Sequence, residues 1–205
     1  MTQPNSKLVK KSSLGNLIIL IALIVLIALF YVLNPNFLNP YNVLSMMQSL
    51  APYAIMALGV TFVIATGGID LSIGTTCIAA AVIAGKFYTT GAYPLWAVIP
   101  IMIAIGTFVG LLNGLLIAKL KMPAFIATLG TMMLTRGLSA LIVKDPNIFF
   151  PTGTWFNEVF SAKHNIPTGL FWVVGFMILC MYLMYKNKIG RYILSIGSNE
   201  EATRL

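Results

Sequence analysis

Carboxylates are scarce reactive groups in this chain, which has five acidic residues among 205. One of them, Asp70, lies in the segment GGIDLSIG at positions 67–74, between two apolar runs. Asp70 or Ser72 can cap the helix that follows, because short polar side chains accept hydrogen bonds from the first backbone amides of a helix. Alternatively, the glycines interrupt the helix and the polar residues line a path across an apolar environment. These interpretations concern Gly67, Gly68, Asp70, Ser72 and Gly74.

A second unusual group is the guanidinium of Arg136, which lies inside an apolar run. Arg136 precedes Val143 by seven residues, which corresponds to about 10 Å along a helix. The long side chain can extend toward the end of the helix, because its apolar stem tolerates burial while its charge reaches water. It can equally pair with a polar group or face a central cavity, and the sequence leaves these alternatives open.

The remaining polar residues form no catalytic or metal-binding pattern. The sequence has no paired carboxylates, no nucleophile beside a base and no G-x-x-x-x-G-K-[ST] phosphate loop. Cys77 and Cys180 lie in apolar runs, where cysteine behaves as a small buried residue, and the single histidine, His164, has no second ligand nearby. We therefore expect no enzymatic activity of the chain itself, no metal and no cofactor.

The composition indicates a protein embedded in a lipid bilayer. Hydrophobic residues make up 59% of the chain and charged residues 9%, whereas a soluble domain carries about 25% charged residues. The net charge of +8 comes from lysines and arginines at the ends of apolar runs. Because these residues do not form one basic face, the pattern excludes nucleic-acid binding and is typical of membrane proteins.

Six apolar runs have the length, or nearly the length, to cross a bilayer core of about 30 Å as helices. The third run is the weakest, since it is short and rich in Ala, Ser and Thr. The first follows a basic lead and is predicted to be a retained anchor. The fold class is therefore all-α and polytopic, with one domain over residues 1–205. The predicted spans are Leu17–Leu33, Val43–Thr66, Leu71–Tyr88, Pro94–Leu120, Pro123–Val143 and Pro167–Tyr185.

The distribution of lysine and arginine predicts the orientation. With the N-terminus inside and six crossings, nine basic residues lie on the inner side and three in the outer loops. Cytoplasmic loops carry such an excess. We therefore predict a cytoplasmic lead over residues 1–16, the spans over 17–185 and a cytoplasmic loop over 186–205.

The fourth span contains glycines at four-residue spacing, which places them along one face of a helix. Such a face lets a neighbouring helix backbone approach closely, so the pattern predicts helix packing. These residues are Gly106, Gly110 and Gly114.

The last residues of the chain carry a helix-start signal. Ser198 followed three residues later by Glu201 is a capping box, and acidic side chains suit the positive end of a helix. The pattern predicts a short helix that begins near Asn199 and continues past the end of this sequence.

Three segments together resemble one known family. They are GGIDLSIG at 67–74, PAFIATLGT at 123–131 with the RG pair at 136–137, and the tail from Gly190 to Leu205. In their order and spacing they resemble the ribose-type monosaccharide permease subunits of ATP-binding-cassette importers. The resemblance covers nearly the whole chain.

The resemblance implies a type II importer permease of about ten spans in a bacterial inner membrane. It also implies a second permease subunit, identical or different, two ATPase subunits that hydrolyse the ATP, and an external binding protein that delivers a ribose-like sugar. The tail would be the coupling element that docks on the ATPase. That element comprises Gly197, Ser198, Asn199, Glu200, Glu201, Ala202 and Arg204.

The chain also departs from the family pattern. In the family about four further spans follow the coupling loop and repeat the second to fifth spans in inverted form. We therefore expect a truncated or split permease. The alternatives are a permease for another small polar solute, such as a nucleoside or a branched-chain amino acid, and a membrane fragment with an assembly role but no transport.

Overall fold

The structure, a computed structural model, describes residues 6–143, 150, 153–160 and 167–198. These residues form helices and short 3₁₀ turns and contain no strand, which confirms the all-α prediction. The helices are α1 (Ser6–Leu33), α2 (Pro40–Ala65), α3 (Ile73–Thr89), α4 (Val98–Ala118), α5 (Ala124–Ile142), α6 (Trp155–Phe160), α7 (Thr168–Lys186) and α8 (Lys188–Ser198).

Four helical segments in the described part are long and apolar enough to cross a membrane, and they make the chain a multi-pass membrane protein. The apolar part of α1, Leu17–Leu33, and helix α3 are shorter apolar helices, at the lower end of the length that crosses a bilayer. The number of crossings, six, therefore stays a prediction. The four long segments are Pro40–Ala65, Leu95–Ala118, Ala124–Ile142 and Thr168–Lys186.

The chain divides into two compact units, residues 1–47 and 48–205. In the first unit, α1 leads into the 3₁₀ turn Pro35–Leu38, where the rings of Phe30 and Phe37 lie 5.3 Å apart. Helix α1 begins at Ser6, so most of the predicted 1–16 lead belongs to the helix. Its Lys and Leu residues are good helix formers, and the helix therefore continues out of the apolar run into polar sequence.

The second unit is organised around α3, which packs against α4 and α5, while α4 and α5 also contact each other. Helix α7 contacts α8, and near its start Gly169 lies against Ala51 of α2. The amide N–H of Gly169 donates to Oε1 of Gln48 at 3.1 Å. The glycine is required there because a Cβ at position 169 would lie 2.6 Å from the Cβ of Ala51.

Polar side chains lie inside this unit and large apolar side chains lie outside. Lipid tails are as apolar as leucine, so helices in a bilayer gain little from burying leucines and instead bury small and hydrogen-bonded residues. The buried hydrophobic residues of the described part are accordingly mostly alanines and valines. The buried polar residues of the described part are Ser72, Thr76, Asn113, Thr128, Thr131 and Thr135. Among these side chains only the Thr76 hydroxyl has no hydrogen-bond partner there.

Residues 188–198, which lie in the predicted cytoplasmic loop over 186–205, form the helix α8. Lys188, Arg191, Ser195 and Ser198 recur every three or four residues, as one polar face of a helix does. Asn187 ends α7 in an extended conformation, and its Oδ1 accepts from the amide of Ile189 at 3.2 Å. It thereby caps α8, as short polar side chains at helix starts do.

Candidate polar site inside the helix bundle

The segment 66–72 breaks the chain between α2 and α3. Gly67 has a φ of 79°, a left-handed conformation that favours glycine. The amide of Gly68 donates to the Val63 carbonyl at 3.1 Å, and that of Gly67 to the Ile64 carbonyl at 2.9 Å. This pair of bonds is a Schellman motif, which satisfies the last carbonyls of a helix. Gly67 and Gly68 therefore terminate α2, and the discontinuity predicted from the glycines is present.

Asp70 and Ser72 form a compact turn at the end of this segment. Oδ1 of Asp70 accepts from the amide and from the hydroxyl of Ser72, both at 2.7 Å. Ser72 occupies the N-cap position of α3 without a side-chain capping bond, so the capping interpretation holds for its position only. Gly74 lies in the first turn of α3, with open space where a Cβ would be.

Asn113 of α4 joins this turn to α5. Its Nδ2 donates to Oγ of Ser72 at 2.9 Å, and its Oδ1 accepts from the hydroxyl of Thr131 at 2.8 Å. Asn113 is 6% exposed and Thr131 3% exposed. A buried polar group is costly unless it is hydrogen-bonded. Here the side-chain amide is bonded at both ends, and one residue connects the segment with two helices.

Helix α5 contributes a threonine face to the same region. Thr128, Thr131 and Thr135 follow one another at spacings of three and four, and all three are buried. The hydroxyl of Thr135 donates to Oγ1 of Thr75 at 3.0 Å. The hydroxyl of Thr128 lies 3.4 Å from the carbonyl oxygen of Ile69. Helix α5 therefore contacts the segment and the first turn of α3 through hydroxyl groups.

The level of this site follows from the positions of its partners along their helices. Asn113 precedes the last residue of α4 by five positions, about 7.5 Å along the axis. Thr131 follows the first residue of α5 by seven positions, about 10 Å along that axis. Ser72 is bonded to Asn113, so the polar turn lies well inside the helix ends. Helix α3 is short because it starts from this inner level.

A cavity of about 450 Å³ lies between α2, α3 and α4, and Asp70, Ser72 and Asn113 line it. Gly106 and Gly110 line the same cavity from α4. A Cβ added at either glycine, or at Gly114, would meet no described atom within 4 Å. The predicted close packing of this glycine face is therefore absent from the described part of the chain, and packing against another subunit stays a prediction.

Arg136 lies apart from Asp70. It lines a second cavity, of about 550 Å³, together with Thr75 of α3 and Ser139 of α5. Its side chain is exposed, whereas the preceding residue, Thr135, is buried against α3. The two charged residues that the sequence singled out therefore line different cavities and do not form a joint site.

Helix α8 of the tail lies beside the beginning of the segment 66–72. Gly197 of α8 packs so closely on the end of α2 that a Cβ would overlap the carbonyl oxygen of Ala65. A cavity of about 620 Å³ is lined by Thr66, Gly67 and Gly68 and, from α8, by Tyr192 and Ile196. The segment 66–72 thus contacts α8 at its beginning and carries Asp70 near its end.

Of the two residues in the predicted capping box, Ser198 and Glu201, the structure describes only Ser198. Ser198 is the last described residue of α8, and its hydroxyl donates to the Ser195 carbonyl at 2.8 Å. The capping box itself stays a prediction, because Glu201 lies outside the described residues. The other predicted coupling residues lie outside the described residues: Asn199, Glu200, Glu201, Ala202 and Arg204.

Asn113 and the threonine face were missed from the sequence as site residues. The signal was available, because a polar amide inside an apolar run and threonines at helical spacing indicate a buried polar face. In the described residues no three His, Cys, Asp or Glu side chains gather as metal ligands do. The arrangement offers hydrogen bonds and one carboxylate, which suits recognition of a hydroxylated or polar solute.

The family model and the relatives that match this chain are all described as permease components or permease proteins. Residues 42–205 match the family described as branched-chain amino acid transport system / permease component. The chain is 37% identical over 193 residues to the ribose import permease protein RbsC of Haemophilus influenzae. This aligned region covers 90% of this chain and 58% of that protein. It is 37% identical to ribose import permease protein RbsC of Bacillus subtilis, over 89% of this chain and 57% of that protein.

A third relative is the galactose/methyl galactoside import permease protein MglC of Escherichia coli, 33% identical over 91% of this chain and 61% of that protein. The chain thus spans less than two thirds of the length of these relatives. No solved structure matches. Because the match covers most of the chain, the protein belongs to the family of membrane permease components described as branched-chain amino acid transport system / permease component.

Proposed function

We propose that the chain is a membrane-spanning permease subunit of an ATP-driven importer for a ribose-like monosaccharide. The observation that carries this proposal is the 37% identity to ribose import permeases over about nine tenths of the chain. Relatives named for galactose and fructose import support the wider class of sugars. The chain itself carries out no chemical reaction in this proposal, and a separate ATPase subunit hydrolyses the ATP.

The proposed path for the solute uses the cavity beside Asp70. Its wall includes the Asp70 carboxylate beside Ser72 and Asn113, whose side chains are buried and bonded to each other. A solute rich in hydroxyls can exchange a hydrogen bond to water for one to this carboxylate, which lowers the cost of leaving water. The interruption between α2 and α3 supports this proposal, because transporters form their sites from broken helices.

The proposed partners lie on opposite sides of the membrane. With the N-terminus inside, the basic residues of α8 and its flanks, including Lys186, Lys188 and Arg191, face the cytoplasm, as the excess of positive charge in cytoplasmic loops favours. Residues 197–204 then form the docking element for the ATPase. A second permease subunit and an external binding protein complete the assembly in the bacterial inner membrane.

Co-purification tests the assignment. The tagged chain is expressed with an ATP-binding-cassette ATPase subunit of a sugar importer from the same organism and extracted in mild detergent. We expect the ATPase to be retained by the parent chain and lost after Glu200→Lys with Glu201→Lys. The control is Glu158→Lys in α6, which the orientation places outside. Equal retention by the tail variant, or no retention by the parent, contradicts the proposal.

A second candidate substrate comes from the family description, which names branched-chain amino acids. Uptake by cells that contain the complete transport system distinguishes the two. Labelled ribose that enters and is not displaced by leucine supports the sugar, whereas labelled leucine that enters and is not displaced by ribose supports the amino acid.

A further inference from the structure

Asn113 stands out because it is a buried amide in a lipid-crossing helix with both of its polar ends bonded. Polar residues at membrane depth are costly and rare, and those that occur face the bundle interior and pair with one another. The bonds of Asn113 run to two different elements, the polar turn and α5. A role in packing α4 alone would not require either of them.

The hydrogen bonds around Asn113 have one direction. The Thr131 hydroxyl donates to Oδ1 of Asn113, Nδ2 of Asn113 donates to the Ser72 hydroxyl oxygen, and the Ser72 hydroxyl donates to Oδ1 of Asp70. Each group therefore donates a hydrogen bond to the next, and the series of bonds ends on the Asp70 carboxylate. Leucine at 113 would break the chain although it has a similar volume, because it offers neither donor nor acceptor.

This chain of bonds leaves a defined part of the carboxylate for a ligand. Both bonds from Ser72 go to Oδ1 of Asp70, and no described residue donates a hydrogen bond to Oδ2. Asp70 lines the 450 Å³ cavity together with Cys77. A carboxylate oxygen in such a wall can accept hydrogen bonds from the hydroxyl groups of a solute.

We propose that Asn113 and Thr131 are positioning residues that hold the Asp70 carboxylate in the cavity wall, where its Oδ2 accepts a hydrogen bond from a hydroxyl group of the transported solute. The second half of this statement rests on the proposed function, while the placement of the carboxylate does not. Asn113 acts through Ser72 and does not itself need to contact the solute.

The native Cys77 provides a probe of where the carboxylate lies, since its side chain is exposed and lines the same cavity. In a Cys180→Ser background, purified in detergent, the reaction rates of Cys77 with a cationic and an anionic methanethiosulfonate are measured. A nearby carboxylate favours the cationic reagent, so the ratio of the two rates reports its presence. Loosening of the whole fold would change both rates in the same direction.

We expect Asp70→Asn to lower the ratio by about fourfold. Cys77 follows Asp70 by seven residues, about 10 Å along a helix, and a unit charge at that distance in water changes each rate by about twofold, in opposite directions for the two reagents. Asn113→Leu and Thr131→Val should lower it toward the Asp70→Asn value, and Thr131→Ser should retain the parent ratio because it keeps the hydroxyl. Thr135→Val is the matched control. It removes a comparably buried hydroxyl that bonds to the Thr75 hydroxyl and to backbone carbonyls of α5, but to none of the side chains in the series that ends on Asp70.

Two results overturn the proposal. A parent ratio in Asn113→Leu and Thr131→Val, with a lowered ratio in Asp70→Asn, means that the carboxylate stays in place without the two residues. An unchanged ratio in Asp70→Asn means that the carboxylate does not share the cavity with Cys77, and no reaction of Cys77 at all means that the cavity is closed to solutes. Because this assay needs no ATPase and no transport, its failure is distinct from a failure of the co-purification test.

Discussion

The contact between Gly197 and the end of α2 gives a prediction with a definite sign. An alanine inside a helix is ordinarily more stable than a glycine by about 0.5–1 kcal/mol. At position 197 the added methyl group would overlap the Ala65 carbonyl oxygen, a backbone atom that cannot rotate away. Helix α8 would have to move by more than about 1 Å to reach ordinary van der Waals separation. We therefore expect Gly197→Ala to destabilise the docked position of α8.

The size of the effect follows from the cost of overpacking. Inserted methyl groups in packed sites cost about 1–3 kcal/mol. Converted at 1.4 kcal/mol per tenfold, this predicts that the backbone amides of α8 exchange with deuterium about 5- to 140-fold faster, if exchange proceeds through undocking. The measurement is hydrogen exchange by mass spectrometry on the detergent-solubilised chain, following peptides that cover residues 188–198.

The control for this measurement is Gly130→Ala. Gly130 lies inside α5, where a Cβ meets no described atom within 4 Å. Its substitution should leave the exchange of α8 unchanged. Slower or equal exchange of α8 in Gly197→Ala would refute the reasoning, because it would mean that α8 does not rest on the end of α2.

Three further substitutions test other contacts, each by thermal unfolding of the purified chain. Gly169→Ala should lower the free energy of unfolding by about 1–3 kcal/mol, and adding Ala51→Gly should restore it; a failure to restore contradicts this contact. Gly110→Ala should be neutral or raise stability by up to about 1 kcal/mol, since its surroundings are open, and a clear loss would contradict the open cavity. Gly67→Ala should cost about 1–2 kcal/mol for the left-handed backbone, whereas Gly74→Ala should not; equal effects would contradict the assigned role of Gly67 at the end of α2.

The sequence predicted the helices better than it predicted how they meet. Long apolar runs fix the lengths of membrane helices, because lipid leaves the backbone no partner outside the helix. The bounds of α5 and α7 therefore lie close to the predicted spans Pro123–Val143 and Pro167–Tyr185. The break at GGIDLSIG was also visible, because the glycines and the acidic residue stand between two apolar runs.

Helix α8 and the glycine face show where sequence patterns were insufficient. The glycines at positions 190 and 197 lie within α8, and close contacts with other parts of the chain require both of them, which no sequence pattern indicated. The glycines of α4 suggested close packing, but Gly106 and Gly110 border a cavity. A glycine in the sequence can allow a neighbouring helix to pack closely or can border empty space. Which of the two occurs depends on the helices that become its neighbours in the fold.

The hydrogen-bond partners of Asn113 also could not be predicted from the sequence. An asparagine in an apolar run indicates a buried polar contact, but its partners lie 41 residues before it and 18 residues after it in the chain. Only the packing of α3, α4 and α5 brings Ser72 and Thr131 to it. A sequence can therefore suggest that such a residue is paired, and the tertiary structure identifies the groups that it joins.

A site-specific photo-crosslink tests the central claim, that this chain is a permease subunit whose tail meets an ATPase. A photoreactive residue is placed at Ser198, the exposed end of α8, or at the exposed Thr90 beyond α3, which the orientation places outside. In membranes that contain both proteins, we expect a crosslink to the ATPase from position 198 and none from position 90. A crosslink from position 90, or none from position 198 when the ATPase is present, would contradict it.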